Sequence, residues 1–250
     1  SGGVPNEMEQ LNAGYREERY AEDPNFTRFS SWNGGNPVGQ FEYLSGTPEL
    51  SKNFDDYDYT LENTMDAADQ RHDVTTRVVI SGTYTPNGFG SVATRNGGGI
   101  SFYYFKGNAI RVEAMRDMVN DRGQIPQELR DAGLEQAIEN VLAWNPNAFN
   151  SPTVSFSEGG INFYYQGVCY YTVLIRHFSN NMVPVLMGYG RYGVVRNNVY
   201  QLSINKIIGP GQPVINPPGT DPDDEDTSWI SADVNIMRWY IRNQNVEELL

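Results

Sequence analysis

From residue 74 to 85 the run VTTRVVISGTYT sets Val78, Ile80 and Tyr84 on one face at a period of two, which predicts a β-strand. The turn signal Pro86-Asn87-Gly88 and the glycines Gly97-Gly98-Gly99 bracket a loop, and residues 100–105 then read as a second strand, expected to form a hairpin with the first. The period changes to helical over 126–142. There Leu134, Ile138, Val141 and Leu142 share a stripe and Pro126 suits the first turn; 112–119 predicts a shorter helix. Strand patterns resume at 153–157, 161–165, 167–178 and 198–208. After Gly209-Pro210-Gly211 the chain becomes rich in Pro, Gly and acid, ending in Asp221-Pro222-Asp223-Asp224-Glu225-Asp226, and 229–236 then alternates once more. The expected class is mainly β: a β-sandwich with one or two short helices and a tethered C-terminal strand. The corresponding division is 1–60 irregular, 61–211 sandwich, 212–227 acidic Pro-rich linker and 228–250 C-terminal strand segment.

Charge and composition narrow the functional classes. Of the 250 residues, 31 are acidic and 18 basic, a formal charge of −13 that repels a polyanion and excludes nucleic acid as a partner. Apolar runs such as 183–187 fall well short of the ~20 residues of a membrane helix, so no transmembrane segment is expected. The single cysteine, Cys169, precludes an intrachain disulfide and a Cys-rich zinc module, and only His72 and His177 supply imidazole. The opening Ser1-Gly2-Gly3 carries neither an initiator Met nor a signal peptide, so the chain is expected to be a fragment.

Candidate chemistry is thin. Gly88-Phe89-Gly90-Ser91-Val92-Ala93 and Gly188-Tyr189-Gly190-Arg191-Tyr192-Gly193 fit a dinucleotide-binding spacing, but that motif requires a helix to begin at once, and neither segment predicts one. Both are expected to be loop or hairpin glycines, and no cofactor is expected. A Cys169/His177 dyad would need two side chains that eight residues of strand hold about 26 Å apart, so Cys169 reads as a buried structural thiol. An EF-hand starting at Asp221 would put Asp226 where glycine is required and Ala232 where the bidentate Glu belongs; no metal site is expected, and the acids read as a solvated tether. Asp55, Asp56 and Asp58 could serve an acid-pair hydrolase only if two converged in a pocket. The chain is accordingly expected not to be an enzyme. In the C-terminal segment Ile230, Ala232, Val234 and Ile236 lie on one face, while Trp239 is out of parity, which predicts a bulge or bend near Met237 and Arg238 that turns the chain before Ile241. Arg196 and Asn197 suit a turn entering a strand, Asn tolerating positive φ and Arg tying down carbonyls or an acid.

The order of motifs Tyr192-Gly193-Val194-Val195-Arg196-Asn197-Asn198-Val199-Tyr200-Gln201-Leu202-Ser203-Ile204, Gly209-Pro210-Gly211-Gln212-Pro213, the acidic linker, and Ser231-Ala232-Asp233-Val234-Asn235-Ile236 leading to Trp239 resembles the C-terminal domain of the major fimbrial subunits of Bacteroidales, the Mfa-type fimbrilins of type V pili. Leu61-Glu62-Asn63-Thr64 and Gly167-Val168-Cys169-Tyr170-Tyr171 fit the same pattern, so the similarity runs from about residue 61 to the end. The resemblance implies a transthyretin-like sandwich and a precursor exported as an outer-membrane lipoprotein and trimmed by an arginine-specific protease. It also implies polymerisation into cell-surface fimbriae of a Gram-negative bacterium by donor-strand exchange. The donor strand would be carried by Ile230, Ala232, Val234, Ile236, Trp239 and Ile241, the partners being further fimbrial subunits, accessory tip or anchor proteins, and host or bacterial surface receptors in cell adhesion. The bland alternative is that this strand only completes its own sandwich. A rival of another class is an extracellular carbohydrate-binding β-sandwich adhesin, in which Tyr103, Tyr104, Tyr164 or Tyr165 would stack on sugar rings.

Overall fold

The computed structural model describes residues 44–48, 50, 58–60, 62–65, 67–90, 99–177, 191–223 and the backbone of 230–238. Within them run β1 (Arg77–Thr83), β2 (Phe102–Phe105), β3 (Asn108–Arg111), α1 (Val112–Asn120), α2 (Gln127–Asp131), α3 (Leu134–Trp144), β4 (Phe156–Glu158), β5 (Ile161–Tyr164), β6 (Val168–Leu174), β7 (Asn198–Ile207) and β8 (Ile230–Arg238). The fold is mainly β and sandwich-like, all its strand pairs are antiparallel, and its helices are short.

The centre is a four-stranded sheet in the order β3-β2-β5-β4. Two of its hairpins close through two-residue turns whose central residues both have positive φ, Lys106 (42°) with Gly107 (87°) and Gly159 (58°) with Gly160 (83°), the turn geometry that matches strand twist. Lys106 is held in this unusual conformation with its ammonium donating to Ala132 O at 2.7 Å. Alternate residues of Phe102-Tyr103-Tyr104-Phe105 enter different cores. Tyr103 and Phe105 pack with Phe163, Phe156 and Ile110 beneath Met115 and Met118 of α1 and Leu134, Ile138 and Val141 of α3. Phe102, stacked on Tyr164 at 4.7 Å, belongs instead to a cluster with Cys169, Tyr171 and Val173 of β6, against which Tyr104, Ile80, Leu202 and Ile204 pack. The sheet is thus covered on both faces, by helices on one side and by strands on the other.

Two expectations are corrected. β1 does not pair with β2; it pairs with β6, Arg77 opposite Leu174 through to Thr83 opposite Val168. Both edges of β2 are already taken, one by β3 across the tight turn and the other by β5, which leaves β1 to a partner far along the chain. Nor is 126–142 one helix. Gly133, at φ 89°, separates α2 from α3, since a left-handed residue cannot continue a right-handed helix. The shorter helix expected at 112–119 is α1.

Candidate functional site

The C-terminal part of the chain is built as an arm, a lacing and a lock. The arm is the antiparallel pair β7 and β8, in which Tyr200 stands opposite Ile236, Leu202 opposite Val234 and Ile204 opposite Ala232, with Ile207 opposite Ile230 at the far end. Register shifts between Ile204 and Lys206, so the irregularity lies at Asn205 on β7. The bulge expected near Met237 and Arg238 is therefore corrected: those residues pair regularly with Val199 and Asn198. Directly opposed residues share a sheet face, so the row Ala232, Val234 and Ile236 is on the face from which Leu202 and Ile204 pack into the core. Trp239 and Ile241 lie outside the described residues.

The base of the arm is fixed by charge and by one strained residue. Asn197 takes φ 60°, as its type allows, and Asn198 donates to Val195 O and Arg196 O. Arg196 forms an ion pair with the half-buried Glu62, its Nε donating to Oε2 at 2.6 Å. Tyr200 Oη accepts from Val195 N at 2.9 Å, which leaves its proton for Nδ1 of His177, 2.8 Å away. Burial holds the His177 imidazole below the ordinary histidine value and raises the Tyr200 phenol.

Beyond β7 the chain is laced to the body. Tyr171 donates its hydroxyl to Gly209 O at 2.8 Å and Tyr164 donates to Gly211 O at 2.7 Å, so two buried tyrosines hold the Gly209-Pro210-Gly211 turn. Gln212 and Tyr170 exchange two backbone hydrogen bonds of 2.8 Å, and Ile215 does the same with Gly46. Gly211 runs so close to β6 that a Cβ there would sit 2.3 Å from Tyr170 O, which excludes any side chain. The lock follows at Asp221 to Asp223. His72 N donates to Asp221 O at 3.0 Å and Asp223 N to Gln70 O at 3.1 Å. The Asp223 carboxylate, buried to 2 % exposure, accepts from Thr75 Oγ1 and lies 4.0 Å from the Arg77 guanidinium. Residues 212–223, read in the sequence as a solvated tether, are therefore pinned as far as Asp223, because main-chain pairing to β6 and residue 46 replaces the solvent that charge repulsion would favour. Acids 224–226 lie outside the described residues.

The remaining candidates resolve into structure. Cys169 is 1 % exposed, its Sγ 3.4 Å from Gly82 O and 3.5 Å from Tyr171 Oη, and burial raises its thiol, so it is neither nucleophile nor partner of His177, whose Nδ1 belongs to Tyr200. Gly88 and Gly90 shape the turn that presents Phe89, which packs in the β6 cluster under the Arg111 guanidinium at 4.4 Å. Arg191 to Gly193 bond to His177 and Ile175; Gly188 to Gly190 fall outside the described residues, as do Asp55 and Asp56. The aromatics offered for sugar stacking do not form an exposed row: Tyr103 and Tyr164 are buried, and Tyr104 and Tyr165 are half-buried against the two cores. Among the described residues no cluster of three His, Cys, Asp or Glu could hold a metal, and no helix is long and apolar enough to cross a membrane.

Sequence reasoning missed Glu62, Thr75, Arg77 and Asp223. Thr75 and Arg77 look like ordinary strand residues, and Asp223 is one of a run of acids; the one available signal was Pro222, which fixes the approach of the chain just before the carboxylate that is buried.

No curated protein sequence matches the chain. Residues 162–245 match the family described as major fimbrial subunit protein type IV, fimbrillin, C-terminal. That stretch holds β6, the laced turn, the lock and both strands of the arm. Over that stretch, which carries the arm, the chain is similar to the fimbrillin C-terminal domain.

Proposed function

We propose that the chain is a non-enzymatic structural subunit of cell-surface fimbriae that polymerises with further fimbrial subunits by donating its C-terminal strand. The observation that carries this reading is the placement of β8. Among the described residues it forms its ladder with β7 alone, its other edge pairing with no described strand, and it is joined to β7 through a long connection rather than a tight turn. An extended strand that adds to a sheet edge contributes main-chain hydrogen bonds and fills pockets with alternate side chains. Ile230, Ala232, Val234 and Ile236 are the plugs, with Trp239 and Ile241 continuing the segment. Burying the three larger plugs at ~1.5–3 kcal/mol each gives about 5–9 kcal/mol gross, before the cost of ordering the segment. Outer-membrane location, lipoprotein processing, contact with tip and anchor proteins, and adhesion to host or bacterial receptors belong to the same reading.

Truncation after Thr227 tests it. The expected product is a folded monomer, by circular dichroism and melting, that no longer forms filaments visible by electron microscopy. Filaments of normal yield from the truncated subunit would refute strand donation. An unfolded product would show instead that β8 serves only its own sheet, and Val234→Asp would then destabilise the monomer as well.

A further inference from the structure

Away from the arm, the end of α3, the approach to β4 and residues 214–217 enclose an open groove of about 570 Å³, a size usual for small-ligand sites. Trp144 lies in it with 53 % of its surface exposed and Val154 with 65 %. The indole is not loose: it ends a helix, its ring lies 5.4 Å from that of the buried Phe156, and the following turn is tied by Asn147 N donating to Asn145 Oδ1 and Ala148 N to Asn145 O, both at 3.0 Å. Among the described residues no Asp, Glu, Lys or Arg lines the groove, although a fifth of the chain is charged. Its polar groups are neutral, and they divide in two. Ser155 accepts from Tyr165 N and Ser157 donates to Asn162, so both serve the fold. Thr153 Oγ1, the Asn145 amide nitrogen and the Asn216 amide have no hydrogen bond among the described residues and line the same groove as the indole.

These features select a ligand class. A phosphate or carboxylate would need a cation, and a metal ion or an amine would need a carboxylate; the described lining supplies neither charge. A docked apolar helix or strand would want a continuous apolar floor, whereas Trp144, Val154 and Pro152 are interleaved with free amides and a hydroxyl. What fits is a molecule with one apolar face to lie on the indole and neutral donors and acceptors around its rim, which describes a pyranose ring. We infer that this groove is a binding site for an uncharged glycan, with Trp144 as the stacking platform and Asn145, Thr153 and Asn216 as its hydrogen-bonding rim. It is distinct from the tyrosines first considered for that role and independent of how subunits assemble.

The test uses the whole chain and three probes, the methyl β-glycosides of glucose, galactose and N-acetylglucosamine, followed by saturation-transfer NMR and by the Trp144 indole N–H resonance, assigned through its loss in Trp144→Phe. At least one probe should receive saturation on its ring C–H protons and shift that resonance. Trp144→Ala, with an unchanged melting temperature, should abolish the transfer, Trp144→Phe should retain a weakened signal, and Asn216→Ala should weaken binding about five-fold, the loss of one neutral hydrogen bond. The inference is overturned if no probe binds, or if binding persists in Trp144→Ala. It is overturned equally if the wild-type chain self-associates through this face and Trp144→Ala alone abolishes that association, for the groove would then be an interface between copies.

Discussion

Replacing Asp223 should loosen the chain where it leaves the body for the last strand, and the cost can be worked from its surroundings. Its side chain is fully buried, Thr75 is 5 % exposed and the Arg77 side chain 18 %, so solvent cannot take over the lost partners. Thr75→Val removes one hydrogen bond to a charged acceptor, about 1.5–3 kcal/mol. Asp223→Ala removes that bond, leaves the Thr75 hydroxyl to the weakly accepting Met65 sulfur at 3.9 Å, and takes the Asp223 carboxylate away from Arg77. At 4.0 Å the Coulomb attraction is ~4 kcal/mol at an effective dielectric of 20, but the desolvation of both ions offsets much of it. The expected loss is therefore about 3–5 kcal/mol. Because both substitutions break the same bond, the double variant should fall short of additivity by roughly 1–2 kcal/mol. Urea unfolding followed by circular dichroism measures all three, and limited proteolysis of Asp223→Ala should find a new cut between residues 212 and 223. An Asp223→Ala protein within about 0.5 kcal/mol of wild type, or strictly additive losses, would refute the lock.

Three further outcomes can be measured. Gly133→Ala, whose Cβ meets nothing within 4 Å, should cost only the backbone strain of φ 89°, about 1–2 kcal/mol, whereas Gly211→Ala must displace the Tyr170 carbonyl and should cost clearly more in the same urea melts. The Cys169 thiol, raised by burial, should react with an aromatic disulfide reagent only on unfolding, and fast labelling of the native chain would contradict its packing. His177 has a folded value below 6.5, so the unfolded chain takes the proton first as pH falls. Its contribution should be constant above about pH 7 and decline below 6.5 until the folded value is passed, and the wild type should lose more stability than His177→Gln between pH 7.5 and pH 5.5, two melts that would agree if the ring were solvated.

The alternating strands were legible because each has one row of side chains to bury: β5, β6 and β7 fall within the segments their periodicity marks, and β8 runs two residues past its own. Asn197 was legible for a different reason, since few residue types accept positive φ, and so was the carboxylate partner of Arg196, though not that it would be Glu62. Pairing was not legible. Which strand β1 joins depends on which edges of β2 are still free, a fact held by the turns at Lys106 and Gly159 and not by β1 itself. The lock failed to show for the same kind of reason: a run of acids looks uniformly solvated until the fold brings Thr75 and Arg77 beside one of them. Nothing in the sequence singled out Trp144, and only its exposure in the folded chain sets it apart.

The central sheet and its helices occupy one uninterrupted stretch, from Phe102 to Tyr164, and among the described residues β2 to β5 pair only with one another. This block can therefore nucleate with little loop-closure entropy, and it should be the first to become structured. β1 has to wait for β6, which reaches it only after the whole block has been made, so their ladder closes a far larger loop and comes later. The arm comes last of all, because β8 meets β7 only once the chain has run around through its lacing. Along this order of assembly, the chain's own core is complete before its final strand has found any partner, and under the proposed function that interval is when an edge of a neighbouring subunit would have to compete for it, against an edge of the same chain that effective concentration favours.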